Sequence, residues 1–267
     1  MNAYLAVFRI RFINTLQYRA AALAGMATQY AWGFMLILGY SAFYRSNPAA
    51  FPMEFSQMVS YIWMQQAFLT LYSAWVSTDD ISASIEGGSI AYEMVRPISL
   101  YNRWFCQITA SRLARAALRC VPVLFVAFIL PEPFRMSLPP NPAVLFMYLL
   151  STVLSLGVVA AYTMLVYITV FYTLSLRGIR HFIGAFTDFL SGAIIPLPFF
   201  PGPLRAILEL LPFAAMQNAP LRIYSGNIAG TEAVSAMALQ AFWLVALLLA
   251  GQAAMSRALK KVVTQGG

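Results

Sequence analysis

The stretch that decides the fold is residues 143–173, which read AVLFMYLLSTVLSLGVVAAYTMLVYITVFYT and contain no charged side chain. A bilayer core about 30 Å thick is crossed by roughly 20 helical residues, so this stretch is long enough for one span. It belongs to a longer charge-free run, residues 136–176, that also contains Pro139, Pro140 and Pro142. Because proline breaks a helix interior, the longer run holds one span and not two.

The composition of the whole chain is that of a membrane protein. Of its 267 residues, 61% are hydrophobic and 10% are charged, and the mean hydropathy is +0.72. Soluble domains carry roughly 25% charged residues. The composition therefore excludes a disordered chain and argues against a water-soluble domain.

Further apolar runs predict an all-α membrane protein with six transmembrane helices in a single domain, 1–267. Charge-free runs predict spans at 20–44, 55–78 and 233–256, in addition to 143–173. Two more spans are interrupted by charge. The predicted spans are 20–44, 55–78, 110–130, 143–173, 181–200 and 233–256.

Basic residues predict the orientation of these spans. If the N-terminus is cytoplasmic, all but four of the 17 Lys and Arg residues fall on the inside, the exceptions being Arg45, Arg135, Arg205 and Arg222. Such a bias places both termini in the cytoplasm. The net charge of +8 is then a signal for orientation and for anionic lipid headgroups, and no nucleic-acid partner is expected.

The third predicted span carries three arginines on one helix face. Arg112, Arg115 and Arg119 follow each other at spacings of three and four residues, which places them on the same side of a helix. Long Arg side chains can reach the headgroups from such a face, and an arginine of this face is also a possible partner of Asp188.

Residues 4–19 precede the first span and predict an amphipathic helix in the cytoplasmic interface. Leu5, Phe8, Phe12 and Leu16 recur at helical spacing, which is typical of an apolar face that lies in the headgroup region. The alternative is a plain cytoplasmic extension of the first span.

The longest cytoplasmic loop, residues 79–103, predicts a short helical element between the second and third spans. Gly87-Gly88 interrupts the chain, Ser89 is a capping residue, and Arg96-Pro97 ends the element. A compact helical element with exposed charge is a candidate docking surface. The alternative is a connector without a partner.

The segment 191–224 predicts a broken fifth span followed by short external helices. It contains six prolines and two glycines, and the apolar pieces between them are too short to cross a bilayer. Irregular backbone at membrane depth is tolerated where protein buries it or where it lines a cavity. The segment is therefore either part of a transport pathway or a structural cap.

Several kinds of chemistry are missing from the sequence. The only lysines are Lys260 and Lys261, so the chain has no P-loop lysine and is not expected to hydrolyse ATP. The only histidine is His181. Neither a histidine-based metal site nor a catalytic triad is therefore expected.

The order of these features resembles the type-2 ABC exporter permeases, the membrane subunits of ATP-driven exporters. Glu86-Gly87-Gly88 followed by Tyr92-Glu93-Met94-Val95-Arg96-Pro97-Ile98 resembles that family's "G…LvRP" coupling segment. The pieces 191–197, Phe200-Pro201 and 211–213 resemble its fifth-span signature. The resemblance covers essentially the whole chain and is greatest to the uncharacterised permeases that work in pairs.

The resemblance implies a dimer of permeases, homomeric or with a paralogous permease, in a prokaryotic plasma membrane. It also implies two separate ATPase subunits, which would hold ATP and Mg²⁺, while this chain binds no cofactor or metal of its own. The expected ATPase-docking residues are Ser82, Glu86, Gly88, Glu93, Arg96 and Pro97.

The second and fifth spans face the dimer axis in that family, which implies candidate pathway residues. The second span carries a stripe of Tyr61, Gln65, Phe68, Tyr72 and Trp75. Such a stripe is also a common packing surface.

Asp188 is the one acidic residue inside the predicted fifth span. It serves either as half of a structural ion pair or as a substrate contact.

The leading interpretation is a permease subunit of an exporter for amphipathic or lipophilic substrates, such as drugs, lipids or glycolipids. The alternative is a secondary transporter or channel that needs no ATPase partner. That alternative would be expected to show inverted repeats and ion-coupling carboxylates, and only Asp188 is of that kind.

Overall fold

The structure, a computed structural model, describes residues 3–76, 79–173 and 177–260. This part of the chain is all-helical and contains thirteen α-helices. They are α1 Ala3–Leu16, α2 Arg19–Ser46, α3 Phe55–Ala67, α4 Leu69–Tyr72, α5 Asp79–Glu86, α6 Ile90–Met94, α7 Leu100–Ile129, α8 Pro142–Thr173, α9 Arg177–Leu190, α10 Gly202–Leu210, α11 Pro212–Met216, α12 Asn218–Tyr224 and α13 Gly230–Leu259.

Within the part of the chain that the structure describes, three helices are long and apolar enough to cross a membrane on their own: α2, α8 and α13. They occupy the positions predicted for the first, fourth and sixth spans. Helix α7 is 30 residues long, and the arginines that interrupt the apolar pattern lie within its first 20 residues.

Helix α8 lies at the centre of the bundle. Helix α13 runs along it, and α7, α11 and α12 pack on its other sides. The contact between α8 and α13 is close at Gly157, where a Cβ would lie 2.8 Å from a methyl carbon of Leu244. Polar groups also join these helices, since the fully buried Ser151 donates to the side-chain oxygen of Gln240 at 2.7 Å.

Helix α1 packs lengthwise against α7. The Tyr4 hydroxyl accepts a hydrogen bond from the Ser99 backbone N–H, and Arg11 Nε donates to the Ser111 hydroxyl at 2.9 Å. Leu5, on the predicted apolar face, is 58% exposed and points away from the protein. The helix therefore has one face on α7 and an apolar side left uncovered, an arrangement compatible with the predicted interfacial location.

The second predicted span, residues 55–78, is not a continuous helix. Helix α3 ends at Ala67, α4 ends at Tyr72, and Ser73–Val76 is non-helical. Residues 77 and 78 lie outside the described part.

Arg112 of α7 binds backbone carbonyls at this break. Its guanidinium donates to Ser73 O at 2.7 Å, to Val76 O at 2.8 Å and to the Thr163 hydroxyl at 3.0 Å. Longer contacts reach Thr70 O and Leu71 O. Because the last carbonyls of a helix have no partner within it, Arg112 satisfies the acceptors that the break creates.

Of the three arginines on this face, Arg112 does not extend to the membrane surface, because it is 2% exposed. Arg115 and Arg119 are half-buried.

The helix in the fifth predicted span is shorter than the predicted range 181–200, since α9 ends at Leu190. Gly192 has a φ of +82° and Ala193 N–H donates to Asp188 O at 3.0 Å. These are the features of a Schellman motif, in which a left-handed glycine ends a helix. A 3-10 turn at Leu197–Phe199 and the three short helices α10, α11 and α12 follow.

Candidate functional site

The loop between the second and third spans folds back on the bundle through α5 and α6. Three isoleucines, Ile81, Ile85 and Ile90, are at most 7% exposed. They belong to a cluster with apolar residues of α7, α8 and α13, among them Trp104 and Tyr167. The element is thus held against three long helices by buried apolar area.

Glu93 braces the second half of this element. Its carboxylate pairs with Arg103 at 2.7 Å and accepts a hydrogen bond from Trp104 Nε1 at 2.9 Å. The Arg103 side chain is 9% exposed. Glu93 therefore connects α6 to α7. This contact is charge-assisted and largely buried, which makes it stronger than an exposed one.

Asp80 connects the first half of the element to α1. It pairs with Arg11 at 2.5 Å, and Arg11 also bonds to Ser111 of α7. Arg11 of α1 therefore joins its own helix to the first turn of α5 and to α7.

The outward face of the element forms a ridge that projects from the bundle. We define the docking ridge as six of its exposed residues: Glu86, Gly88, Tyr92, Val95, Arg96 and Pro97. Tyr92 is 78% exposed and Val95 is 82% exposed, although both are apolar or aromatic. Gly88, with a φ of +72°, lies in the turn between α5 and α6 and allows the sharp reversal.

The ridge contains four of the six predicted docking residues. Glu86, Gly88, Arg96 and Pro97 are exposed, whereas Ser82 is 8% exposed and Glu93 is engaged with α7. The sequence reasoning missed Tyr92 and Val95. An aromatic and a β-branched residue between charged residues of a polar loop was the signal that could have identified them.

The predicted pathway stripe on the second span is largely enclosed by the chain itself. The Tyr61 hydroxyl donates to Gly192 O at 3.3 Å, and Gln65 Nε2 donates to Ala193 O at 2.7 Å. These bonds satisfy the broken backbone after α9. Helix α3 therefore supports the irregular backbone after α9 directly.

The remaining members of the stripe have different surroundings. Tyr72 is fully buried and its hydroxyl lies 3.3 Å from that of Tyr148. Phe68 is half-buried against the same two rings. Trp75 is 45% exposed and packs against α9 at Gly184, where a Cβ would lie 3.2 Å from the Trp75 Cβ. The pathway role of these residues stays a prediction.

Asp188 is half-buried in the last turn of α9, two residues before the helix ends. Its carboxylate forms no ion pair with any residue in the described ranges. Thr187 next to it binds the Tyr162 hydroxyl at 3.0 Å and so fixes this turn on α8. The neighbouring Phe189 is 42% exposed on the outer side of α9.

Within the described ranges, no group of three or more His, Cys, Asp and Glu side chains could hold a metal ion. The polar side chains described above bind backbone carbonyls, hydroxyls and one another. The arrangement is a helical bundle with an exposed ridge on α5 and α6 and irregular backbone after α9.

Comparison with known proteins identifies the class. The model of the ABC-2 family transporter proteins matches residues 30–266. This match covers most of the chain, and the chain belongs to that family. Comparison with curated proteins gives no significant match.

Membership shows that the chain is a membrane subunit of an ABC transporter, as the motifs predicted. Members of the family are permeases without an ATPase domain. The prediction that this chain is not the ATP-hydrolysing subunit is therefore confirmed.

Proposed function

We propose that the chain is the permease subunit of an ATP-driven exporter that moves amphipathic or lipophilic molecules across a prokaryotic plasma membrane. In this proposal α3 with α4, α7 and α9 supply three spans besides α2, α8 and α13. The concentration of basic residues on one side supports cytoplasmic termini. Family membership supports the dependence on an ATPase, and hence argues against a self-sufficient secondary transporter or channel.

The docking ridge is the observation that carries the assignment of an ATPase contact. Exposed tyrosine and arginine side chains are common anchors of protein interfaces, and the ridge presents Tyr92 beside Arg96. The ATPase would hold ATP and Mg²⁺, and its closure would push on this ridge.

The inner side of the same element supplies a route for that push. Ile81, Ile85 and Ile90 pack on α7, α8 and α13, and the Glu93–Arg103 pair fixes α6 to α7. A displacement of the ridge is therefore transmitted to three helices, since a close-packed apolar contact does not yield freely.

The outer face of α9 is the surface we assign to a second permease and the substrate pathway. Phe182 is 74% exposed and Phe186 is 51% exposed, and with Phe189 they form one stripe. An aromatic stripe next to the half-buried Asp188 fits a pathway for lipophilic molecules with a polar part. A second copy or a paralogous permease would cover the stripe.

The docking assignment is tested by co-purification of the permease with its cognate ATPase. Tyr92→Ala removes the largest exposed side chain of the ridge, and we expect roughly 30-fold weaker association, as for an interface anchor worth about 2 kcal/mol. Glu86→Arg reverses the charge at the end of α5 and is expected to reduce association as well.

Tyr18→Ala is the matched control, because Tyr18 is 72% exposed and lies outside the ridge. It should leave association unchanged. Normal recovery of the ATPase with both ridge variants would refute the docking assignment. Transport by the purified chain in vesicles without any ATPase would refute the exporter proposal and favour a secondary transporter.

A further inference from the structure

A basic pocket lies beside the element formed by α5 and α6, and it takes no part in the function proposed above. Its volume is about 800 Å³, and its walls come from the end of α1, the start of α2, the non-helical end of the second span, α5 and α7. Arg11, Arg115 and Arg119 line it, together with Asp80. Three guanidinium groups thus converge on one concave surface.

Arg119 leaves part of its hydrogen-bonding capacity unused. One terminal nitrogen donates to Ala21 O at 3.3 Å, and the guanidinium makes no other hydrogen bond in the described part of the chain. Its Nε is fully buried, so the terminal nitrogens are the donors available to the pocket. A ligand with acceptor oxygens would therefore gain from binding at this position.

The guanidinium of Arg119 packs against α2 at Gly25. A Cβ at Gly25 would lie 2.6 Å from Arg119 Cζ, so the group rests where only glycine leaves room. This close approach packs the guanidinium against α2. A planar fork is the geometry that recognises phosphate oxygens.

Part of the remaining wall is apolar and distinguishes among phosphate compounds. Trp75, Val76 and Leu118 form this part, whereas the polar side chains of Asn14, Thr15, Gln17 and Thr70 line the rest. Inorganic phosphate would leave the apolar part unused, whereas a lipid places its glycerol and first methylenes there. In the orientation proposed above, the pocket opens at the cytoplasmic leaflet, where anionic lipids are concentrated.

We propose that this pocket binds the phosphate of an anionic phospholipid, with Arg119 as the principal contact and Arg11 and Arg115 beside it. Binding at this site is a property of the permease alone and requires no ATPase. A failure of the docking proposal would therefore leave this result unaffected.

The test is native mass spectrometry of the full chain in detergent, titrated with phosphatidylglycerol, with phosphatidylcholine of the same acyl chains, and with inorganic phosphate. We expect one phosphatidylglycerol to bind at least about tenfold more tightly than phosphatidylcholine. Arg119→Gln should abolish that preference, since one charge-assisted hydrogen bond is worth about a factor of ten. Arg257→Gln, at an exposed arginine of α13, is the matched control and should retain the preference.

Gly25→Ala provides a second variant that keeps every charge. The added methyl displaces only the flexible end of Arg119, so the fold should persist while the lipid preference falls. Equal binding of the two lipids to the wild-type chain, or an unchanged preference in both variants, would overturn the proposal. Saturation by inorganic phosphate that displaces the lipid at equal concentration would also overturn it, because the ligand would then be free phosphate.

Discussion

Arg112 connects α7 to the broken end of the second span, and replacing it with methionine is the sharpest test of that connection. Methionine is similar in length and is apolar, so Arg112→Met leaves little empty space. It removes the donors to Ser73 O and Val76 O, which lie at 2.7 and 2.8 Å. Ser73 is 3% exposed and Val76 is 7% exposed, so water does not readily replace the lost donors.

The cost follows mainly from Val76 O, because Ser73 O keeps a hydrogen bond from Val76 N–H at 3.4 Å. A buried acceptor without a partner costs about 1–3 kcal/mol, so the free energy of unfolding should fall by at least about 1 kcal/mol. For a chain of this size, 1 kcal/mol corresponds to about 2–4 °C in Tm. We therefore expect the Tm of Arg112→Met to fall by at least about 2 °C.

The assay is thermal unfolding in detergent, combined with hydrogen exchange of residues 70–76. Exchange should accelerate there more than in α8 or α13. Arg112→Lys should be intermediate, because one ammonium does not span two carbonyls as a guanidinium does. Arg257→Met removes a charge at an exposed site and should change neither readout. A Tm within about 1 °C of the wild-type value for Arg112→Met would refute the role assigned to Arg112.

Two further substitutions address the pathway and the docking ridge. Asp188→Asn removes a carboxylate that forms no ion pair with the described residues, so we expect export to fall while assembly of the permeases, measured by crosslinking, stays intact. Gly88→Ala places a Cβ at a φ of +72°, which costs about 1 kcal/mol. It should weaken ATPase association several-fold in the co-purification assay.

Each of these two substitutions has an outcome that would contradict its prediction. Loss of assembly in Asp188→Asn would show a structural role instead of a pathway role. For the turn, Gly88→Asn is the matched variant, because asparagine tolerates the left-handed region better than alanine. If both substitutions weaken association equally, the backbone conformation at this position is not the cause.

Charge patterning predicts much of the helical architecture. The predicted first span 20–44 corresponds to α2, Arg19–Ser46, and the predicted fourth span 143–173 corresponds to α8, Pro142–Thr173. This agreement has a simple cause, since charged residues and prolines end apolar helices and all of them are visible in the sequence. The break at Phe68 has no such marker, because residues 55–72 contain no glycine and no proline.

The docking element shows where sequence reasoning on the site ends. Glu93 and Tyr92 are neighbours, and both were quoted in the motif that carried the resemblance. The structure turns Glu93 toward Arg103 and leaves Tyr92 exposed. The outcome depends on where α6 lies on α7, which the local sequence does not specify.

The sequence by itself determined the class of protein, because hydropathy, charge asymmetry and short motifs are local properties that a membrane imposes on any chain it accommodates. Only the tertiary structure decided which polar groups serve the interior. Arg112, on a helix face from which long side chains can reach the headgroups, instead binds the carbonyls after α4. A buried charge needs partners, and those partners lie 36 to 42 residues away along the chain, brought together only by the packing of the helices.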